Sequence, residues 1–143
     1  MADKFKFSLE KLLEIRADKE EESKIQFNKT QREKNDTEDK LSDLKKSYEK
    51  YNGINKGESL TYQKIKKNYL FALDKGIVQT EKDLVIKEKE LFIRRDDLIK
   101  KQVERKTVDI LKEKKEKAFY KEQNRLDQIL NDEMALYAYM RSN

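Results

Sequence analysis

Apolar residues recur every seven positions along two stretches of this chain. In the first stretch one row reads Leu13, Glu20, Phe27, Lys34, Leu41, Tyr48, and a companion reads Leu9, Arg16, Ser23, Thr30, Thr37, Leu44, Tyr51. Both rows are apolar at their ends and diluted in the middle. The second stretch carries a stronger row: Leu70, Ile77, Leu84, Leu91, Leu98, Arg105, Lys112, Phe119, Leu126, Glu133 and Met140, of which eight are apolar. Strict seven-residue spacing favours a left-handed coiled coil. Between the stretches lies Tyr51-Asn-Gly-Ile-Asn-Lys-Gly-Glu-Ser59, with two of the three glycines of the chain. Gly and Asn tolerate the left-handed conformations that end helices, and Ser59 can cap the helix that follows. The pattern predicts helices over 8–51 and 60–139 joined by a turn over 52–59. Ser8 is placed to cap the first helix, with Phe7 and Leu12 at hydrophobic-staple positions and Glu10 at the positive end of the dipole. Gly76 stands alone in a helical pattern, where it costs about 1 kcal/mol relative to Ala, and is expected to mark a close approach or a bend.

The fold class that follows is all-α: a single antiparallel two-helix coiled-coil hairpin over residues 1–143, with unequal arms and a longer second helix. Folding near residue 55 sets Leu13 opposite Leu98, Glu20 opposite Leu91, Phe27 opposite Leu84, Lys34 opposite Ile77 and Leu41 opposite Leu70. One uninterrupted helix pairing as a parallel homodimer is the alternative, and the Asn-Gly…Gly cluster argues against it. In the hairpin register, pairing ends near residue 103. The rest of the second helix, with Val108, Phe119, Leu126, Ile129, Leu136 and Met140, is then left to dimerise, to fray or to dock on another protein.

Composition agrees and narrows the chemistry. Of 143 residues 44% are charged, against about 25% in an ordinary domain. The absence of proline and the scarcity of glycine leave too few corners for a sheet, sandwich or barrel. Without Cys or His there is no triad, no thiolate nucleophile, no zinc site and no disulfide framework. Carboxylates abound, but a paired-carboxylate enzyme needs a concave pocket that two helices do not make. Gly-rich phosphate loops are absent as well. The expectation is no enzyme and no cofactor. The apolar runs Tyr69–Leu73 and Ala135–Met140 are far short of the ~20 residues of a membrane span, and the start Met-Ala-Asp-Lys lacks the apolar region of a signal peptide, so a cytoplasmic chain without a transmembrane segment is expected.

Charge is local. Residues 1–50 hold thirteen basic and thirteen acidic side chains, whereas residues 94–121 hold eleven basic and six acidic and match the net +5 of the chain. A basic helix binds phosphates, but acids are interleaved here as in a solvated helix face of i,i+4 pairs. An acidic protein surface is the third possible reading of this stretch. Tyr48, Tyr51, Tyr62, Tyr69 and Phe71 cluster near the turn. Tyr69, Leu73, Gly76 and Thr80 form a stripe about 80° from the leucine row at 100° per residue, expected to flank the seam and stay partly exposed, as an interface or as a plug.

Three segments resemble one family. Phe5-x-Phe7-x-Leu9-Glu10-Lys11-Leu12-Leu13-Glu14-Ile15-Arg16 is similar to the opening of the flagellar FliJ family. Glu104–Lys115 resembles its C-terminal half, and Asn124–Gln128 with Asp132–Ala135 resembles its ending. The resemblance implies a cytoplasmic, non-enzymatic part of the flagellar type III export apparatus, peripheral to the inner face of the cell membrane. It implies a monomeric stalk between the export ATPase hexamer and the cytoplasmic domain of the membrane export gate, with export chaperones as further partners and no nucleic acid. Carried onto this chain, the ATPase-ring contact would comprise Leu9, Leu13, Arg16, Arg105, Lys112, Phe119, Leu126 and Met140. The export-gate contact would comprise Leu44, Tyr48, Tyr51, Tyr69, Leu73, Gly76 and Thr80. A nucleic-acid-binding basic hairpin and a self-associating scaffold are the alternatives.

Overall fold

The computed structural model describes residues 4–142. Two helices make up the fold, α1 (Glu10–Tyr51) and α2 (Leu60–Ser142), with no strand among the described residues. The all-α antiparallel hairpin with a longer second helix is the observed fold. Helix α1 starts at Glu10, whose N–H bonds back to the Phe7 carbonyl, one residue later than the Ser8 cap predicts. Ser59 caps α2 as expected, its Oγ accepting the Tyr62 N–H at 3.1 Å. Gly53 (φ 95°) and Gly57 (φ 88°) take the left-handed conformations that the connecting loop requires.

The chain divides into two compact units, residues 21–99 and residues 1–20 with 100–143. In the first, α1 and α2 pack antiparallel along rows that the heptad pattern anticipates on α1. Ser23, Thr30 and Leu41 are buried, and Phe27, Lys34, Thr37, Leu44 and Tyr48 are half-buried between them. On α2 two rows face α1. One is the leucine row, with Leu91 buried and Leu70, Ile77, Leu84 and Leu98 half-buried. The other is Lys66, Leu73 and Thr80, all buried, followed by half-buried Lys87. Thr80 is 3% exposed, and its hydroxyl donates to the Gly76 carbonyl at 2.7 Å; Thr30 donates to the Gln26 carbonyl at 3.0 Å in the same way. Bonding back into its own helix is how a threonine enters a seam without an unpaired hydroxyl.

The register differs from the one that folding near residue 55 sets. Tyr51 packs edge-on against Tyr69, with ring centroids 5.4 Å apart, where the expected register places Tyr51 beside Leu60. Further along this unit Glu33 pairs with Lys87 at 2.8 Å, and Ser23 Oγ donates to Asp97 Oδ2 at 2.8 Å. In the other unit Arg16 donates to the Glu104 carbonyl at 2.8 Å, Glu20 pairs with Arg105, Glu10 pairs with Lys112 at 2.8 Å, and Phe5 packs on Phe119 with centroids 5.6 Å apart. Electrostatics gives the reason. The expected register sets Glu20 against Leu91 and Lys34 against Ile77, leaving charges on aliphatic partners. The observed one gives Glu10, Glu20 and Glu33 cationic partners, which a half-buried charge needs. The loop makes room for the shift. It does not turn tightly at residue 55 but lies along the first turns of α2, and its eight residues span that ~14 Å rise with chain to spare.

Gly76 does not mark a close approach. A Cβ built there meets Leu44 Cδ1 at 3.7 Å, an ordinary van der Waals distance, on helical backbone. Gly76→Ala is therefore expected to stabilise the protein by up to about 1 kcal/mol through helix propensity, read as a rise in thermal midpoint. A fall would mean that the helices cannot accept the methyl group.

Candidate functional site

The sequence-derived candidates divide by unit. Of the eight in the unit of residues 1–20 and 100–143, four are engaged within it. Arg16 holds the Glu104 carbonyl, Arg105 bridges Glu20 and Asp109, Lys112 binds Glu10, and Phe119 packs at a tilt against Phe5. Pairing thus reaches Phe119 instead of ending near residue 103, and the expectation that Arg105–Phe119 lacks an intrachain partner is overturned. Val108, expected on that unpaired face, is buried. Leu13 is half-buried, and Leu9 is just exposed. Every described residue from Asn124 onward is exposed, including Leu126, Ile129, Leu130, Met134, Leu136, Tyr137, Tyr139 and Met140. This stretch of α2 keeps helical geometry with no described part of α1 against it.

The ion pairs of this unit are charge-assisted hydrogen bonds that favour the ionised forms. The hydrogen bond to Glu20, and then the one to Asp109, raises the Arg105 pKa against a desolvation effect that lowers it. The hydrogen bond to Glu10 raises that of Lys112. In the other unit, hydrogen bonding to Lys87 lowers the Glu33 pKa, and Lys87 is raised in return. The hydrogen bonds thus favour the charged forms of Arg105, Lys112, Glu33 and Lys87. The pairs are half-exposed and set register more than they add stability.

In the unit of residues 21–99 the expected exposed stripe is mostly closed. Leu73 and Thr80 are buried, and Gly76 faces Leu44. They belong to the second seam row, which lies beside the leucine row rather than outside it. Tyr69 remains exposed, whereas Leu44, Tyr48 and Tyr51 are half-buried.

Sequence reasoning missed the contacts that anchor the loop. Glu58 Oε1 accepts from Lys66 Nζ at 3.0 Å, with the two side chains only 11% and 8% exposed. Gln63 Nε2 donates to the Glu58 carbonyl at 3.2 Å. Glu58 Oε2 has no hydrogen-bond partner. A lysine in an a/d-type row followed back to a glutamate in the preceding loop was the available signal. Between this loop and α2 lies a groove of about 900 Å³ lined by Gly53, Ile54, Leu60, Lys64, Lys67 and Leu70 around that ion pair.

No cluster of His, Cys, Asp and Glu able to hold a metal occurs among the described residues, and no described helix is long and apolar enough to cross a membrane. Long charged helices packed along a polar seam define a coiled-coil protein. The chain belongs to a known family of that kind: the family model described as Flagellar FliJ protein matches residues 5–143. It is thus a flagellar, export-related protein of a non-catalytic family. No curated protein and no solved structure matches the chain.

Proposed function

We propose that this protein is a non-enzymatic stalk of the flagellar type III export apparatus. It links the export ATPase ring to the cytoplasmic domain of the membrane export gate and assists delivery of chaperone-bound substrates. The observation that carries this reading is the exposed helical segment after Phe119. It presents Leu126, Ile129, Leu130, Met134, Leu136 and Met140 on a helix, and helix-in-groove partners read such anchors. Leu126 and Met140, with Leu9 and Leu13, contact the ring. Arg16, Arg105, Lys112 and Phe119 act one step back by holding the N-terminal segment on α2. Tyr69, with the edges of Tyr48, Tyr51 and Leu44, contacts the gate, while Leu73, Gly76 and Thr80 support it from within the seam. The protein works as a monomer in the cytoplasm, peripheral to the inner face of the membrane. Ion pairing of Arg105, Lys112 and Lys117 with Glu20, Glu10 and Glu113 speaks against a phosphate-binding role for the basic stretch.

Removing residues 120–143 tests the reading. The truncated chain should lose retention by the export ATPase and keep its thermal unfolding midpoint within a few degrees, because the removed residues are almost all exposed. Retention of the ATPase would place the contact elsewhere.

A further inference from the structure

We infer that the loop 52–59 and the first turns of α2 form a binding surface for anionic lipid headgroups, a peripheral membrane contact made without a spanning segment. The inference stands independently of the stalk reading and concerns the unit of residues 21–99 alone.

The surface is assembled by helix geometry. Leu60, Lys64, Lys67, Phe71 and Lys75 follow one another at spacings of 4, 3, 4 and 4, so they share one face of α2. All five are exposed, away from the Lys66 and Leu73 row that meets α1. Lys75 Nζ lies 4.6 Å from the Phe71 ring centroid, a cation–π pair on this face. The loop adds Ile54, which lines the same groove as Leu60, Lys64 and Lys67. Leu60 is 82% exposed and Ile54 76%. Bulky aliphatic side chains that solvated are a standing cost in water.

The charge is lopsided. The loop and these turns carry Lys56, Lys64, Lys66, Lys67 and Lys75 against Glu58 and Asp74. The Glu58 carboxylate is engaged by buried Lys66, which leaves Asp74 as the one acid facing four exposed lysines. An anionic partner complements that field. Two features favour lipid over an acidic protein. The apolar residues protrude instead of lining a deep, desolvated pocket, whereas protein hot spots sit in well-packed pockets. The cations are all lysine, with no arginine between residues 33 and 93. Lysine is a point charge on a flexible stem that can lie along acyl chains while its ammonium reaches a headgroup, and it does not supply the bidentate fork that carboxylate recognition at a protein interface favours. Aliphatic and aromatic anchors ringed by lysines are the composition of an interfacial contact.

Sedimentation of the full chain with vesicles tests this. Binding is expected to vesicles of equal parts phosphatidylcholine and phosphatidylglycerol, to be weak on phosphatidylcholine alone, and to fall with added salt. Each lysine near an anionic surface contributes roughly fivefold in affinity, so Lys64→Gln/Lys67→Gln/Lys75→Gln should weaken binding by about a hundredfold. Ile54→Ser/Leu60→Ser should weaken it as well, with helix content by circular dichroism unchanged in both variants. Lys114→Gln/Lys115→Gln/Lys121→Gln, in the other basic stretch, should bind like the parent. Equal binding to neutral vesicles, or loss through the Lys114 set rather than the Lys64 set, would overturn the inference. So would equally tight binding to soluble polyglutamate that Ile54→Ser/Leu60→Ser leaves unchanged, which would assign the surface to an acidic protein.

Discussion

Leu91→Asp is expected to destabilise the protein by about 3–7 kcal/mol, while Phe92→Asp beside it changes stability by no more than about 0.5 kcal/mol. Leu91 is 6% exposed in the seam, and Phe92 points into solvent. Removing the leucine side chain costs the transfer and cavity terms, about 2–4 kcal/mol. The carboxyl group adds about 1–3 kcal/mol, because it enters the seam in place of an apolar side chain. Leu91→Met keeps the volume and should cost less than about 1.5 kcal/mol. Thermal and urea unfolding of the three variants decide the matter. Equal losses at positions 91 and 92 would show that the leucine row does not form the seam.

Lys66→Met should release the loop. It leaves Glu58, already with one unpartnered oxygen, without its cation. An uncompensated buried carboxylate costs about 1–3 kcal/mol or more, and an eight-residue loop can escape that cost by swinging the side chain into water. The expected result is local: faster proteolysis within residues 52–58 and faster amide exchange at Tyr62, whose N–H rests on Ser59. The double variant Glu58→Leu/Lys66→Leu should recover most of the loss, since an apolar replacement of a buried pair is often neutral or better. Unchanged proteolysis in Lys66→Met would mean that the glycines and the Ser59 cap hold the loop without the ion pair.

The helices, the site of the turn and the rows on α1 were legible in the sequence, because seven-residue periodicity and the Asn-Gly…Gly cluster each have one simple reading. The register was not. Leucines repeated every seven residues fit one another at any multiple of seven, so they carry almost no information about vertical alignment. The charges carry it: Glu10 with Lys112, Glu20 with Arg105 and Glu33 with Lys87 fit only near the observed register. The second α2 row was missed for a related reason. Lys66, Thr80 and Lys87 look like surface residues until a partner or a backbone carbonyl is found for each, and so in the sequence Leu73, Gly76 and Thr80 pass for a flank. Of the candidate surfaces, the exposed stretch after Phe119 was visible from its apolar composition, but its true starting point depended on the register. The loop groove was not visible, because it depends on where the loop lies against α2.

The polar seam also bears on which chains this one can pair with. In a parallel dimer of aligned copies, Glu20 would meet Glu20, Arg105 would meet Arg105, and Lys112 would meet Lys112. Every antiparallel pair that now satisfies a charge would become a like-charge clash. Such clashes set partner choice in coiled coils more sharply than leucines do. The sequence thus works as an address written to itself: α1 is the complement of α2, and a second copy laid parallel and in line is a poor substitute at the same seam. A crowded assembly of helical components is where that discrimination matters. There the fold keeps its interior for itself and offers neighbours only the surfaces left outside the seam.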